Sequence, residues 1–312
     1  MKRRIYKNAV EGVTPSKEWL DAACRLFWDV GLPAVEKEFP ELVDSIAAGR
    51  FYLGSACTQT AFHVYLTQKD FDNFGSSLQN LLNSLPSDYD GVCFEQVARV
   101  FSIDLFYLEA TSSRFVSAPK SAADWLRMPE HKLFDLAHGQ IFYDPLGEFT
   151  NRHKEFMAYY PDDAWRFRLC RSLYEFGEYG QIILPESLAS GDYFTAELAW
   201  WRFAGAAMRL GFNLAREYSP SEKILYKEFS KLSHFSKPVV DLLWNGQCDI
   251  GSRPAIVEEI SSLYRRMLAE LGVLDRGSPP ADCFIYLAGQ IASGISDSCV
   301  RDLAMCPEGD FV

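Results

Sequence analysis

Five residues in the first third of the chain have the types and spacing of phosphate chemistry. Gly54 and Ser55 follow a short apolar run in "RFYLGSACTQT", and fifteen positions after Ser55 comes Asp70, with Asp72 two residues further on. Asp104 then sits alone inside the apolar run "RVFSIDLFYLEA". A glycine lets backbone approach a phosphate closely, and a serine adds a hydroxyl to the backbone N–H groups. If Asp70 and Asp72 end a strand, their period-two spacing puts both carboxylates on one face, about 6.5 Å apart along the chain. A lone acid in an apolar strand costs several kcal/mol (order of magnitude) to desolvate unless a cation or an exposed edge meets it. Asp70, Asp72 and Asp104 together would form an oxygen cage for Mg²⁺, the arrangement that clamps the attacking and leaving oxygens of a phosphoryl or nucleotidyl transfer.

The elements that must position these residues read as a small α/β unit. "SKEWLDAACRLFWDVG" has apolar residues at helical spacing behind Ser16, and "LPAVEKEFPELVDSIAAG" reads as a second helical segment punctuated by proline. "RFYLGSA" and "FHVYLTQ" read as strands, "SSLQNLLNSLPSDYDG" as a helix ended by a turn, and "QVARVFSIDLFYLEA" as the clearest strand. Beyond residue 118 the β-branched runs stop and helical patterns take over, separated by breakers such as Pro145, Gly147, Pro161, Pro220 and the "RGSPP" turn. The fold class expected is therefore α+β. A small mixed-sheet domain over 1–118 precedes an all-helical domain over 119–312.

Composition narrows the class of partner. The 312 residues carry 48% hydrophobic and 23% charged residues, ordinary usage for a chain with a real core. A net charge of −11 and the lack of a basic run argue against a nucleic-acid partner. The chain has no uninterrupted apolar stretch of membrane-spanning length, and its first residues lack the apolar core of a signal peptide, so the cytoplasm is the expected compartment and no membrane partner is expected. The eight cysteines include no C-x-x-C pair and read as reduced thiols, and the five histidines show no zinc-ligand spacing.

The order Gly54-Ser55, Asp70-x-Asp72, then Asp104 resembles the DNA polymerase beta-type nucleotidyltransferase superfamily. The chain is similar also to a mostly bacterial branch described as a domain of unknown function. That likeness runs through "FPELVDSIAAGRFYLGS", "DWLRMPEHKLFDLAHGQIFYDPLGEFTNRHKEFMAYYPDDAWRFRL" and "FNLAREYSPSEKILYKEFSKL", the last carrying Tyr218, Pro220 and Lys223 in a Y-x-P-x-x-K pattern. The resemblance implies a Mg²⁺-dependent nucleotidyltransferase moving a nucleoside monophosphate, AMP from ATP or the equivalent from another NTP, to a hydroxyl. Asp70 and Asp72 would ligate the metal, and Asp104 would complete the site or act as general base. Gly54 and Ser55 would hold phosphates, and Lys223 would offset their charge.

The helical domain would build the acceptor pocket, with Arg152 and His153 as further cleft candidates. Its acids (Glu175 and Glu197 among them) and aromatics such as Trp165, Trp200 and Trp201 suit a small polar or cationic hydroxyl compound, with a protein hydroxyl as the next choice. The spacing from Ser55 to Asp70 is wider than is usual in that superfamily. It favours the alternative of a catalytically inactive nucleotide-binding or protein-interaction module of the same fold. A plain helical scaffold is the third reading.

Overall fold

The computed structural model describes residues 17–51, 60–112, 114–232, 235–273 and 283–305. The chain forms two compact units: residues 1–119 with 128–158, and residues 120–127 with 159–312.

The first unit begins with α1 (Lys17–Leu26), which runs through a π-helical turn at Phe27–Gly31 into α2 (Leu32–Glu38). Then come β1 (Ala47–Arg50), β2 (Thr60–Leu66), α3 (Gln68–Asn83), a short hairpin of β3 (Asp88–Tyr89) and β4 (Val92–Cys93), β5 (Gln96–Ser102) and α4 (Ile103–Ala110). After α5 (Ala122–Leu126), which belongs to the second unit, the chain returns with α6 (Glu130–Ala137), β6 (Gln140–Tyr143) and α7 (Glu148–Met157).

Four strands make a mixed sheet in the order β5-β2-β1-β6. β2 pairs parallel with β5 and antiparallel with β1, which pairs antiparallel with β6. β2 is central and buried at every position, so it shows no polar face to water. Its even residues Phe62, Val64 and Leu66 join Leu26 and Phe27 of the first helical turns and Leu78 and Leu82 of α3 in one core. Its odd residues point the other way, where Tyr65 stacks on Phe149 of α7 at 4.2 Å and meets Phe106 of α4 at 4.8 Å edge-on. Gly49 lets β6 close on β1: a Cβ there would lie 2.4 Å from the Gln140 carbonyl oxygen.

Three sequence expectations change at this level. "QVARVFSIDLFYLEA" is not one strand: it breaks at Ser102, whose hydroxyl accepts the Leu105 N–H at 3.1 Å and starts α4. Asp104 therefore lies in the first turn of a helix, where the aligned peptide dipoles favour an acid, and not in a strand. The strand expected over "RFYLGSA" falls mostly outside the described residues, whereas β1 at Ala47–Arg50 takes up the end of "LPAVEKEFPELVDSIAAG", which the sequence reads as helical. The region after 118 is not all helical, because β6 completes the sheet of the first unit.

The second unit is helical among its described residues. α8 (Asp162–Gly177) continues through a π-helical stretch at Glu178–Ile183 into α9 (Leu184–Ser190), which ends at Gly191 in the left-handed conformation (φ 75°). α10 (Tyr193–Ala215) is the longest helix described, with Asp192 capping Thr195 N. α11 (Leu225–Phe229), α12 (Ser236–Cys248), α13 (Arg253–Glu270), α14 (Phe284–Ser293) and α15 (Ser298–Ala304) follow. α8 and α10 are its centre: Trp165 and Trp200 are fully buried, and Asn213 of α10 donates to the Ser172 hydroxyl of α8 at 2.8 Å. No described helix is long and apolar enough to cross a membrane.

Candidate functional site

The carboxylates of the expected metal site do not form a set. Asp70 and Asp72 belong to α3, where two positions are separated by about 200° around the axis, so the two side chains diverge. Each has a local partner. Thr67 caps the helix, its hydroxyl accepting from the Asp70 N–H at 3.1 Å and donating to the Asp70 carboxylate at 2.9 Å. Asp72 accepts from the Gln68 amide at 2.8 Å. Asp104 accepts from the Arg152 guanidinium at 2.6 Å. A Mg²⁺ cage needs about six oxygens converging on one point. These three acids do not fit it, and among the described residues no group of three or more His, Cys, Asp or Glu side chains has the placement to hold a metal ion. Gly54 and Ser55 lie outside the described residues.

Asp70 and Asp104 do follow the same, C-terminal end of two neighbouring strands. Leu66 of β2 pairs with Ser102 of β5, so α3 and α4 start from the same end of two neighbouring parallel strands. Their N-terminal N–H groups are served by Thr67 and Ser102.

The face of the sheet that a period-two pair does occupy carries His63 and Tyr65. His63 Nδ1 lies 3.2 Å from the Tyr65 hydroxyl, and the imidazole packs edge-on to Phe101 at 5.4 Å. Burial holds the His63 pKa well below the usual histidine range, and the nearby charges of Arg50 and Arg99 push the same way. Behind this pair, Phe51 packs edge-on to the His153 ring at 5.3 Å. Burial lowers the His153 pKa to about 4, so its imidazole is neutral and apolar in its contacts. Arg152 and His153, adjacent in α7, thus have separate roles: Arg152 ties down α4, and His153 fills the core. Arg152 also donates to the Val116 carbonyl at 3.0 Å and lies over the Tyr107 ring at 5.5 Å.

The helical unit holds a cavity of about 720 Å³ bounded by α8, α10, α11 and α12. α10 supplies Trp201, Arg202, Gly205 and Arg209, and Tyr226 of α11 and Trp244 of α12 also line it. Arg209 pairs with Glu222 at 2.7 Å and with Glu175 at 3.8 Å. Arg202 donates to the Tyr179 hydroxyl at 2.6 Å and lies over that ring at 5.1 Å. Lys223, expected to reach a triphosphate, is exposed in the turn before α11, next to the cavity residue Glu222.

Of the acids and aromatics named above as an acceptor pocket, Glu175 and Trp201 line this cavity. Glu197 instead pairs with the buried Arg253 at 2.8 Å, and Trp165 and Trp200 are core. Arg202, Tyr226 and Trp244 were not singled out from sequence. The available signal was the pair Trp200-Trp201 on a long helix, where a turn of about 100° per residue buries one indole and exposes the next.

A family model described as "Domain of unknown function (DUF4037)" matches residues 125–225. No curated protein and no solved structure matches the chain.

Proposed function

We propose that this chain is a small-molecule-binding protein that uses the cavity of its helical unit and does not transfer nucleotides. The observation that carries this is the cavity itself. Its volume of about 720 Å³ falls within the roughly 300–1,000 Å³ of small-ligand sites, and aromatic side chains line it beside a few fixed charges. The carboxylates of Asp70, Asp72 and Asp104 each accept a hydrogen bond from a different neighbour, Thr67, Gln68 and Arg152, which speaks against a shared metal site.

The test is retention of small molecules. The full chain is incubated with a size-filtered metabolite extract, washed, and the retained compounds are read by mass spectrometry. Compounds retained by the wild type and lost by Trp244→Ala support the reading; retention of none overturns it.

A second reading, Mg²⁺-dependent transfer of AMP from ATP to a small-molecule or protein hydroxyl, draws on one observation. Asp70 and Asp104 start helices from the same, C-terminal end of two adjacent parallel strands. Labelled ATP with Mg²⁺ and separate pools of metabolites, protein and RNA distinguishes the two. Label transfer that Asp70→Asn and Asp104→Asn abolish would establish the second reading against the first.

A further inference from the structure

We infer that the cavity of the helical unit takes a planar aromatic molecule bearing a negative charge, a carboxylate or a phosphate. This rests on the binding reading above and names its ligand class.

The aromatic requirement comes from what the walls leave in water. Trp201 and Trp244 are 53% and 59% exposed, and Tyr226 is 48% exposed, although all three line a concave site. Large aromatic side chains hold their burial free energy in reserve until a partner covers them, and a flat ring covers an indole face best.

The charge requirement comes from the pairing of the four ionic groups in the lining. Arg209 engages both acids of the cavity, Glu222 and Glu175. Arg202 has a phenol as its hydrogen-bond acceptor and, among the described residues, no carboxylate within 4.0 Å. A guanidinium has five N–H donors in a planar fork that matches a carboxylate or phosphate, and one phenol oxygen leaves most of them for another acceptor. A cationic ligand would be repelled by Arg202, whereas an anion would pair with its free N–H donors.

The test uses three probes on the full chain by isothermal titration calorimetry: 2-naphthoate, 2-naphthylmethylammonium and cyclohexanecarboxylate. The first two share the ring and differ in the sign of charge; the first and third share the carboxylate and differ in aromaticity. The expected result is one-to-one binding of 2-naphthoate, at least tenfold tighter than either of the others. Arg202→Gln should weaken 2-naphthoate at least fivefold without weakening the ammonium probe. Trp244→Ala should weaken both naphthyl probes. Both side chains are exposed, and circular dichroism checks that each variant folds.

A fourth probe, 2-naphthyl phosphate, separates the two anion types. Equal or tighter binding of the ammonium probe, no binding of either naphthyl anion, or naphthyl-anion binding indifferent to Arg202→Gln each overturns the inference. If metabolites are retained in the extract experiment while both naphthyl anions fail, the ligand class falls and the binding reading stands.

Discussion

The Arg152 guanidinium sits 2.6 Å from the Asp104 carboxylate and joins the first turn of α4 to the middle of α7. The pair explains how an acid is tolerated within the apolar stretch from Ile103 to Leu108. The acid side chain is 47% exposed, and its partner is a cation from another element of the same unit. Pairs this open to solvent contribute about 0–1 kcal/mol. A double-mutant cycle of Asp104→Asn and Arg152→Gln, read by urea denaturation, should therefore give a coupling below about 1 kcal/mol. Arg152→Gln alone should cost more than Asp104→Asn, because it also loses the Val116 carbonyl and the Tyr107 ring.

Thr67 and Ser102 should matter more to stability than the acids beside them. Thr67→Ala and Ser102→Ala each remove a cap, at a cost of about 0.5–2 kcal/mol. Asp72→Asn keeps an acceptor for the Gln68 amide and should stay within about 0.5 kcal/mol of wild type. Chemical denaturation of the three variants checks the ranking, and a larger loss for Asp72→Asn than for Thr67→Ala would contradict it.

Gly246→Ala should destabilise the helical unit although alanine is the better helix former by about 1 kcal/mol. The added Cβ would lie 2.3 Å from the buried Trp200 ring, so α12 or the indole must shift. Overpacking of this kind costs about 1–3 kcal/mol. A lowered melting temperature is expected, and an unchanged one would mean that the packing relaxes freely.

Two groups of the first unit give pH dependence of opposite sign. Burial lowers His153 from its usual 6.5 to about 4, so its contribution to stability is complete above pH 6.5 and is lost as pH falls through about 4. Burial raises Asp135 from 3.8 to about 6, with Lys132 opposing; its contribution is complete below pH 3.8 and is lost as pH rises through about 6. Asp135→Asn should then stabilise the protein at pH 7 and make no difference at pH 3.5. Denaturation at the two pH values tests Asp135, and NMR titration of the His153 ring protons should give a midpoint near pH 4.

The α+β class, a small mixed sheet with a mostly helical remainder, was legible in the sequence; the return of the chain to the sheet at β6, beyond residue 118, was not. Nor were the two acid positions. Asp70 and Asp72 fall in a helix that begins at Gln68, and Phe71, Phe74, Leu78 and Leu82 already carry its spacing behind the cap Thr67. The helix expected over "SSLQNLLNSLPSDYDG" began eight residues late. Asp104 was ambiguous for a different reason: a short apolar run fits a buried strand and a buried helix equally, and only Ser102 marks the break. The cavity could not be read locally, since Glu175, Arg202, Tyr226 and Trp244 come from four segments and meet only through the packing of α8, α10, α11 and α12.

The path of the chain between its two units has a consequence for their origin and for dissecting them. The backbone changes unit three times, after Pro119, after Arg127 and after Ala158, giving α5 to one unit before returning to finish the sheet of the other with β6. End-to-end fusion of two finished genes leaves one such crossover. Here no single scission separates the parts: a cut at 118 strips the sheet of β6 and α7, and a cut at 158 strips the helical unit of α5. Fragments made at either point should express poorly alone and recover only as a mixed pair.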